Sequence, residues 1–284
     1  VEGGKTEPYL LHRIFTRVFD YQFSTILRDK KYSRFNSKIN PNSEIFVINS
    51  EESNIKFIDK DNAFLDNLFR ILVEDYNFDV DNAAIFYIFD RDHGSNVDAS
   101  FIRSLLNLLK NSRENEGFLR QGLLLLSYPS IESFTLSNFQ SNSFGLKFEF
   151  GNELKRFLNA NGINQNNICE ETIDFALNEL VNALNNINIG SIDLDNFGQR
   201  NIEVFDYQEE CLSREGTFHS LSLLCISSIN SFSDCFSMST IVLPSVPGVF
   251  DPLFDLIVRY ANKILFLDVM MSYSRWNDSL FLAR

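Results

Sequence analysis

The chain has 284 residues, of which 44% are hydrophobic and 22% charged, as in a globular protein of one large or two modest domains. Its 38 Asp and Glu residues outnumber 25 Lys and Arg residues, and the resulting formal charge of −13 argues against nucleic-acid binding through a broad basic surface. No apolar run reaches the roughly 18–20 residues of a membrane-spanning helix, so we expect no membrane contact and a cytoplasmic protein.

The first half of the chain alternates helical and strand patterns. The predicted elements are a helix over 8–19 with Pro8 at its start, a strand over 44–50, a helix over 62–76, a strand over 83–89, a helix over 98–112 and a strand over 122–127. This order predicts an α/β fold with a parallel sheet and right-handed crossovers. A first strand ending near Val1 would complete the sheet, with most of that strand upstream of the sequence.

The second half has a different texture, and we expect a domain boundary near residue 150. Residues 1–150 would form the α/β domain and residues 151–284 a mostly helical one. A polar segment over 159–167 predicts a loop, and helical patterns cover 170–188 and 251–268. The last helix has a wide apolar face, which serves either the core of the domain or contact with a second copy of the chain.

The four cysteines are widely spaced and include no C-x-x-C pair. We expect free, buried thiols in a reducing compartment. A zinc site formed by Cys211, His219 and Cys225 is the alternative, although its spacing matches no standard zinc motif.

The opening stretch VEGGKTEP allows two interpretations. Gly4, Lys5 and Thr6 match the end of a phosphate-binding loop of the G-x-x-x-x-G-K-[ST] type, whose first glycine would lie before residue 1. That interpretation leaves Glu2, Glu7 and Asp92 without a role. The second interpretation treats Glu2 as one acid of a metal site and uses all of these residues.

Three acids are expected at the carboxyl ends of neighbouring strands, where open parallel sheets bind their ligands. Glu2 follows the first predicted strand, and Asp90 and Asp92 follow the strand over 83–89. Three converging carboxylates repel one another unless a cation balances their charge. Hard carboxylate oxygens favour Mg²⁺ or Mn²⁺, which lowers the pKa of bound water and stabilises charge on a phosphoryl group.

Three segments, EGGKTEP (2–8), YIFDRDHGS (87–95) and LLLLSYPSIESFTL (123–136), resemble the motifs of Toprim domains. The similarity is greatest to RloB-like anti-phage proteins and more distant to OLD nucleases and the PARIS-system nuclease. In the third motif, Tyr128 stands where this branch has Asn. The resemblance covers about residues 1–140 and implies nothing for the rest of the chain.

The resemblance implies a Mg²⁺- or Mn²⁺-dependent nuclease that hydrolyses phosphodiester bonds in DNA or RNA. Glu2 would be a general acid or base, or an indirect metal ligand, and Asp90 and Asp92 would bind the metal. Glu132, on the turn after the strand over 122–127, would be a further ligand or would support the ligands from behind.

Four neighbouring side chains have weaker assignments. Lys5 and Arg91 are candidates for substrate binding, although Lys5 could instead balance nearby acids and Arg91 could pair with one. Glu7 and His93 are further catalytic candidates. The alternatives are that Glu7 complements the dipole of the first helix and that His93 is an ordinary loop residue.

The setting implied by the resemblance is anti-phage defence, with an ATPase of the ABC or SMC type as a partner. Two rival functions stay open at this stage. The chain could be a non-catalytic module of a complex that contains such an ATPase, which its negative charge favours. It could also be a phosphohydrolase of a small nucleotide, in which case a narrow pocket would surround Asp90 and Asp92.

Overall fold

The computed structural model describes residues 6–25, 32–40, 43–48, 70–78, 83–94, 96–112, 122–189 and 197–226. Contacts between Cα atoms group residues 1–231 into one compact unit and residues 232–284 into another. The second unit, which includes the helix predicted over 251–268, lies outside the described residues.

The N-terminal part of the first unit is a helix followed by a small antiparallel sheet. Helix α1 (Thr6–Arg13) continues as a π-helical turn (Ile14–Val18). Strands β1 (Tyr21–Thr25), β2 (Tyr32–Ser37) and β3 (Glu44–Ile48) then pair in sequence order.

Aromatic side chains hold this sheet against the preceding helical segment. The β1–β2 register sets Phe23 opposite Phe35, so both rings lie on one face of the sheet. The ring of His12 lies 4.8 Å from that of Phe23, and the ring of Phe15 lies 5.3 Å from that of Phe35. Burial of Phe35 and Tyr21 in this layer supplies the apolar area that a short sheet needs to be stable.

This region corrects the sequence-based prediction. A strand over 44–50 was expected to join a parallel sheet, but β3 pairs antiparallel with β2. Strands β1 and β2 were not predicted at all. They provide β3 with an adjacent partner along the chain, which removes the need for a crossover connection.

The second sheet carries the predicted acids. Strand β4 (Phe86–Asp90) pairs parallel with β6 (Gly122–Tyr128), and helix α2 (Ala99–Leu108) lies between them in sequence. Two short strands, β5 (Lys110–Asn111) and β9 (Leu221–Ser222), pair antiparallel with opposite ends of β6. Because β4 takes the other edge, β5 and β9 share one edge of β6.

All seven residues of β6 are buried, as expected for a strand covered on both faces. Four helices follow it in the described residues: α3 (Glu132–Ser137), α4 (Gly151–Ala160), α5 (Glu170–Asn186) and α6 (Phe197–Glu215). Strands β7 (Lys147–Phe148) and β8 (Phe218–His219) pair antiparallel and form a small two-stranded sheet. Helix α6 contacts α2, β5 and β6, so it packs on the sheet that ends in the acids.

The α/β character is confirmed, with one mixed and two antiparallel sheets among the described residues. The strands expected over 83–89 and 122–127 and the helix over 170–188 are present within a few residues. The helix expected over 62–76 is described only from residue 70, where residues 70–74 are helical. No helix in the described ranges has the length and apolar character to cross a membrane.

Candidate active site

Asp90 is the last residue of β4 and lies beside the end of β6. Its position in the register is opposite Ser127. The backbone N–H of Ile131, on the turn after β6, donates a hydrogen bond of 2.7 Å to Oδ1 of Asp90. The carboxylate of β4 therefore reaches across the carboxyl edge of two neighbouring strands, where the sequence predicted it.

Asp92 lies in the tight loop that follows. Its Oδ1 accepts a hydrogen bond of 3.0 Å from the backbone N–H of Gly94, which orients the carboxylate. A Cβ atom at position 94 would lie 3.3 Å from that oxygen, so glycine gives the carboxylate room in this turn. Two hydrogen bonds from Asn96 close the loop: its N–H donates to the carbonyl of Asp92 (2.8 Å) and its Nδ2 to the carbonyl of Asp90 (3.0 Å).

Arg91 lies between the two aspartates, but its side chain is only 1% exposed. Its guanidinium forms a two-point ion pair with Glu209 of α6, with N–O distances of 2.7 and 2.9 Å. The predicted role of Arg91 in substrate binding is therefore wrong for this arrangement, because the group is buried and already paired. The alternative that it pairs with an acid is confirmed, although the partner is 118 residues away.

Glu132 begins α3 on the turn after β6 and is 6% exposed. Its Oε2 accepts a hydrogen bond of 2.7 Å from Ser130, and its Oε1 lies 3.2 Å from the ammonium group of Lys155 on α4. A lysine thus occupies one oxygen of a carboxylate that was predicted to bind metal. The nearby Tyr128–Pro129 peptide bond is cis.

Two rings lie behind the loop. His93 stacks on Phe150, with centroids 4.7 Å apart and ring planes at 20°, and its buried Nδ1 has no hydrogen-bond partner in the described residues. Tyr128 is fully buried, and burial raises its pKa well above the ordinary value, with a further contribution from Glu209. The hydroxyl of Tyr128 is likewise buried without a hydrogen-bond partner in the described residues, and the proposed catalytic role of His93 stays a prediction.

The N-terminal candidates are described in part or not at all. Glu2 and Lys5 lie outside the described residues. Glu7 lies in the first turn of α1, and its side chain is likewise outside the description. Within the described ranges, no three His, Cys, Asp or Glu side chains are grouped to hold a metal ion.

Asp90 and Asp92 fit a divalent metal by the chemistry of their carboxylate oxygens, and they lie two residues apart at the carboxyl end of β4. They make an incomplete ligand set, and Glu2 is the predicted third member. The zinc alternative gains no support: Cys211 and Cys225 are buried free thiols, and burial raises the pKa of Cys225 to about 12. Cys169 is free but exposed, which differs from the expectation of burial.

The sequence interpretation missed the residues that support the site. Glu209, Asn96, Lys155 and Ser130 each bond to a predicted site residue or to its backbone. Ser130 lies inside the third Toprim-like motif, but its spacing does not reveal its hydrogen bond. Glu209 and Lys155 belong to helices whose packing on the sheet has no local signal in the sequence.

Comparisons with known proteins leave the family open. The chain matches no protein-family model, no curated protein and no solved structure at a significant level. The resemblance to Toprim domains therefore rests on the three motifs themselves, and the function has to be argued from the site.

Proposed function

We propose that this protein is a Mg²⁺- or Mn²⁺-dependent nuclease of the Toprim type that hydrolyses phosphodiester bonds in DNA or RNA. The observation that carries the proposal is the placement of Asp90 and Asp92 at the carboxyl edge of the parallel β4–β6 pair. Ligands of open α/β sheets bind at such edges.

The roles of the individual residues follow from their chemistry. Asp90 and Asp92 would hold the ion, with Glu2 as the third acid and as the group that accepts or donates a proton. A bound divalent ion would neutralise charge on the phosphoryl oxygens and lower the pKa of water. Lys5 would contact a substrate phosphate, so the polymer would bind through the ion and a few cations rather than through a broad basic surface.

The same proposal includes the biological setting implied by the motifs. We propose a cytoplasmic anti-phage effector that works with an ATPase partner of the ABC or SMC type. Such a partner would supply the basic surface that a chain with a net charge of −13 lacks.

One observation favours a second candidate, a non-catalytic module of the same kind of complex. Glu132 is already neutralised by Lys155, so one of the predicted metal ligands is satisfied by the protein itself. In that case the remaining acids would bind a partner, and metal would be dispensable.

Cleavage assays with the full chain separate the two candidates. Supercoiled DNA, tRNA and mRNA are incubated with Mg²⁺, Mn²⁺ or EDTA, with wild type, Asp90→Ala, Glu2→Ala and the control Glu74→Ala. Glu74 is an exposed acid that pairs with Arg70 within one helical turn. We expect metal-dependent cutting by wild type and the control, and at least a 100-fold loss in the other two variants.

Two other outcomes have distinct meanings. Binding of Mn²⁺ without cleavage of any polymer would favour a small nucleotide substrate or a missing activator. If Mn²⁺ neither binds nor stabilises the wild-type protein, the nuclease proposal is wrong and the interaction module replaces it.

A further inference from the structure

The arginine between the two aspartates is the most deeply buried charged side chain near the candidate site. Its exposed fraction is 1%, and its Cζ lies 5.6 Å from the ring centroid of Phe218 and 5.9 Å from that of Phe205. A guanidinium in such an apolar setting is costly unless its donors are satisfied. Its partners therefore reveal what the burial achieves.

Three guanidinium nitrogens have a described acceptor. Nε and one terminal nitrogen donate to the two carboxylate oxygens of Glu209, at 2.7 and 2.9 Å. The other terminal nitrogen donates to the carbonyl oxygen of Asn96 at 2.7 Å. The two-point pair with Glu209 fixes the plane of the guanidinium as well as its position.

Asn96 extends this network to both candidate metal ligands. Its side-chain amide donates to the carbonyl of Asp90, and its backbone N–H donates to the carbonyl of Asp92. A continuous chain of hydrogen bonds therefore runs from Glu209 on α6, through Arg91 and Asn96, to the backbone on either side of Arg91. The network thus ties the backbone carbonyls of Asp90 and Asp92 to helix α6.

We infer that Glu209 and Arg91 are positioning residues, which set the separation of the Asp90 and Asp92 carboxylates for a divalent ion. The inference rests on the proposed function and adds to it a control point on α6, far from the acids in sequence. A buried ion pair contributes little net stability compared with packed apolar side chains, whereas it does fix geometry. The pair therefore suits a role in placing ligands.

The test measures metal affinity and stability separately in the full chain. Mn²⁺ binding is followed by electron paramagnetic resonance, and thermal unfolding is followed without metal. The variants are Glu209→Gln, the double variant Arg91→Met/Glu209→Leu and the control Glu210→Gln, whose side chain is exposed and pairs only loosely with Arg214 at 3.6 Å. The double variant replaces the buried ion pair with apolar side chains of similar length.

We expect Glu209→Gln to weaken Mn²⁺ binding by about 10- to 100-fold, as residues that support metal ligands do, while Glu210→Gln binds like wild type. The double variant should unfold near the wild-type temperature and still bind Mn²⁺ weakly. That combination would separate positioning from stability, because a purely structural pair would lose stability and affinity together or neither.

Two results would overturn the inference and are distinguishable from each other. If wild type and Glu209→Gln, or wild type and the double variant, bind Mn²⁺ equally, the positioning role is wrong and the nuclease proposal stands. If the wild-type protein binds no Mn²⁺ at all, the proposed function fails and the inference fails with it.

Discussion

The two strand ends at the candidate site hold their carboxylates in different ways. At the end of β4, a backbone N–H orients Asp90 and another orients Asp92. After β6, an ammonium group and a hydroxyl bind Glu132. Backbone N–H groups direct a carboxylate without cancelling its charge, whereas Lys155 offsets the charge of Glu132 directly.

This difference suits the carboxylates at the two strand ends to different roles. A hydrogen bond from a peptide N–H leaves the formal charge of a carboxylate in place, so it is compatible with binding of a divalent cation. A carboxylate paired with lysine serves mainly to hold the turn on which Ile131 lies, and Ile131 in turn orients Asp90. In the proposed nuclease, the end of β4 would bind the ion and the turn after β6 would support it.

The largest expected effect is a difference in metal affinity between substitutions at the end of β4 and after β6. We expect Asp90→Asn to weaken Mn²⁺ binding by about 100-fold or more, because it removes a charged ligand, and Glu132→Gln to weaken it by less than about 10-fold. Isothermal titration with Mn²⁺ measures both. Equal losses in the two variants would mean that Glu132 binds the ion and that Lys155 gives way to it.

Removal of the buried cation at the end of β4 should be costly. Arg91→Met leaves Glu209 mostly buried without its partner, and we expect a loss of about 3 kcal/mol in the free energy of unfolding. The control is Arg103→Met, which breaks an exposed ion pair between Arg103 of α2 and Asp206 of α6. We expect this change to cost less than about 1 kcal/mol. Urea denaturation measures both, and similar losses would contradict the structural difference between the pairs.

Removal of the Lys155 charge, which pairs with Glu132 after β6, should have an intermediate effect on the free energy of unfolding. Lys155 is half exposed, but its partner Glu132 is 6% exposed and keeps only the hydroxyl of Ser130 among the partners described above. We expect Lys155→Met to lower the free energy of unfolding by about 2 kcal/mol.

Lys147→Met provides the matched control for Lys155→Met. It breaks a pair with Glu215 in which both side chains are about one-third exposed, so water can replace the lost partner. We expect a cost below about 1 kcal/mol by the same denaturation assay. A Lys155→Met variant as stable as this control would show that Glu132 does not depend on its lysine.

The smallest effect concerns an acid that caps a helix. Asp98 precedes α2, and its side chain accepts a hydrogen bond of 3.0 Å from the N–H of Phe101. We expect Asp98→Ala to cost about 1 kcal/mol in stability and to leave Mn²⁺ affinity unchanged, whereas Asp98→Asn should retain most of the cap. A loss of metal affinity in Asp98→Ala would extend the site beyond Asp92.

The sequence predicted the parts of the fold that local pattern determines. The apolar runs that became β4 and β6 are long enough to identify buried strands, and Asp90 was placed at the correct strand end. Strand β2 has the largely polar sequence YSRFNS, in which Phe35 enters the core, so its pattern is weak. Because β2 lies next to β3, β3 pairs antiparallel with it instead of joining the predicted parallel sheet.

The supporting residues could not be predicted for a different reason. The partner of Arg91 is 118 residues away, and the only local information at position 91 is a charge between two opposite charges. That pattern suggests solvent or substrate contact. The opposite outcome arises because α6 brings Glu209 and Phe205, and β8 brings Phe218, against the Arg91 side chain, which only tertiary packing determines.

The pairing of β9 with the end of β6 has a consequence for the order in which the protein is made. Ser127 pairs with Ser222, so the edge of the sheet next to the acids closes only after 95 further residues have left the ribosome. Glu209, which holds Arg91, also emerges late. The antiparallel sheet near the start of the chain pairs strands that are close in sequence and can form early. The sheet edge next to Asp90, in contrast, is complete only after residues 209–222 have been made.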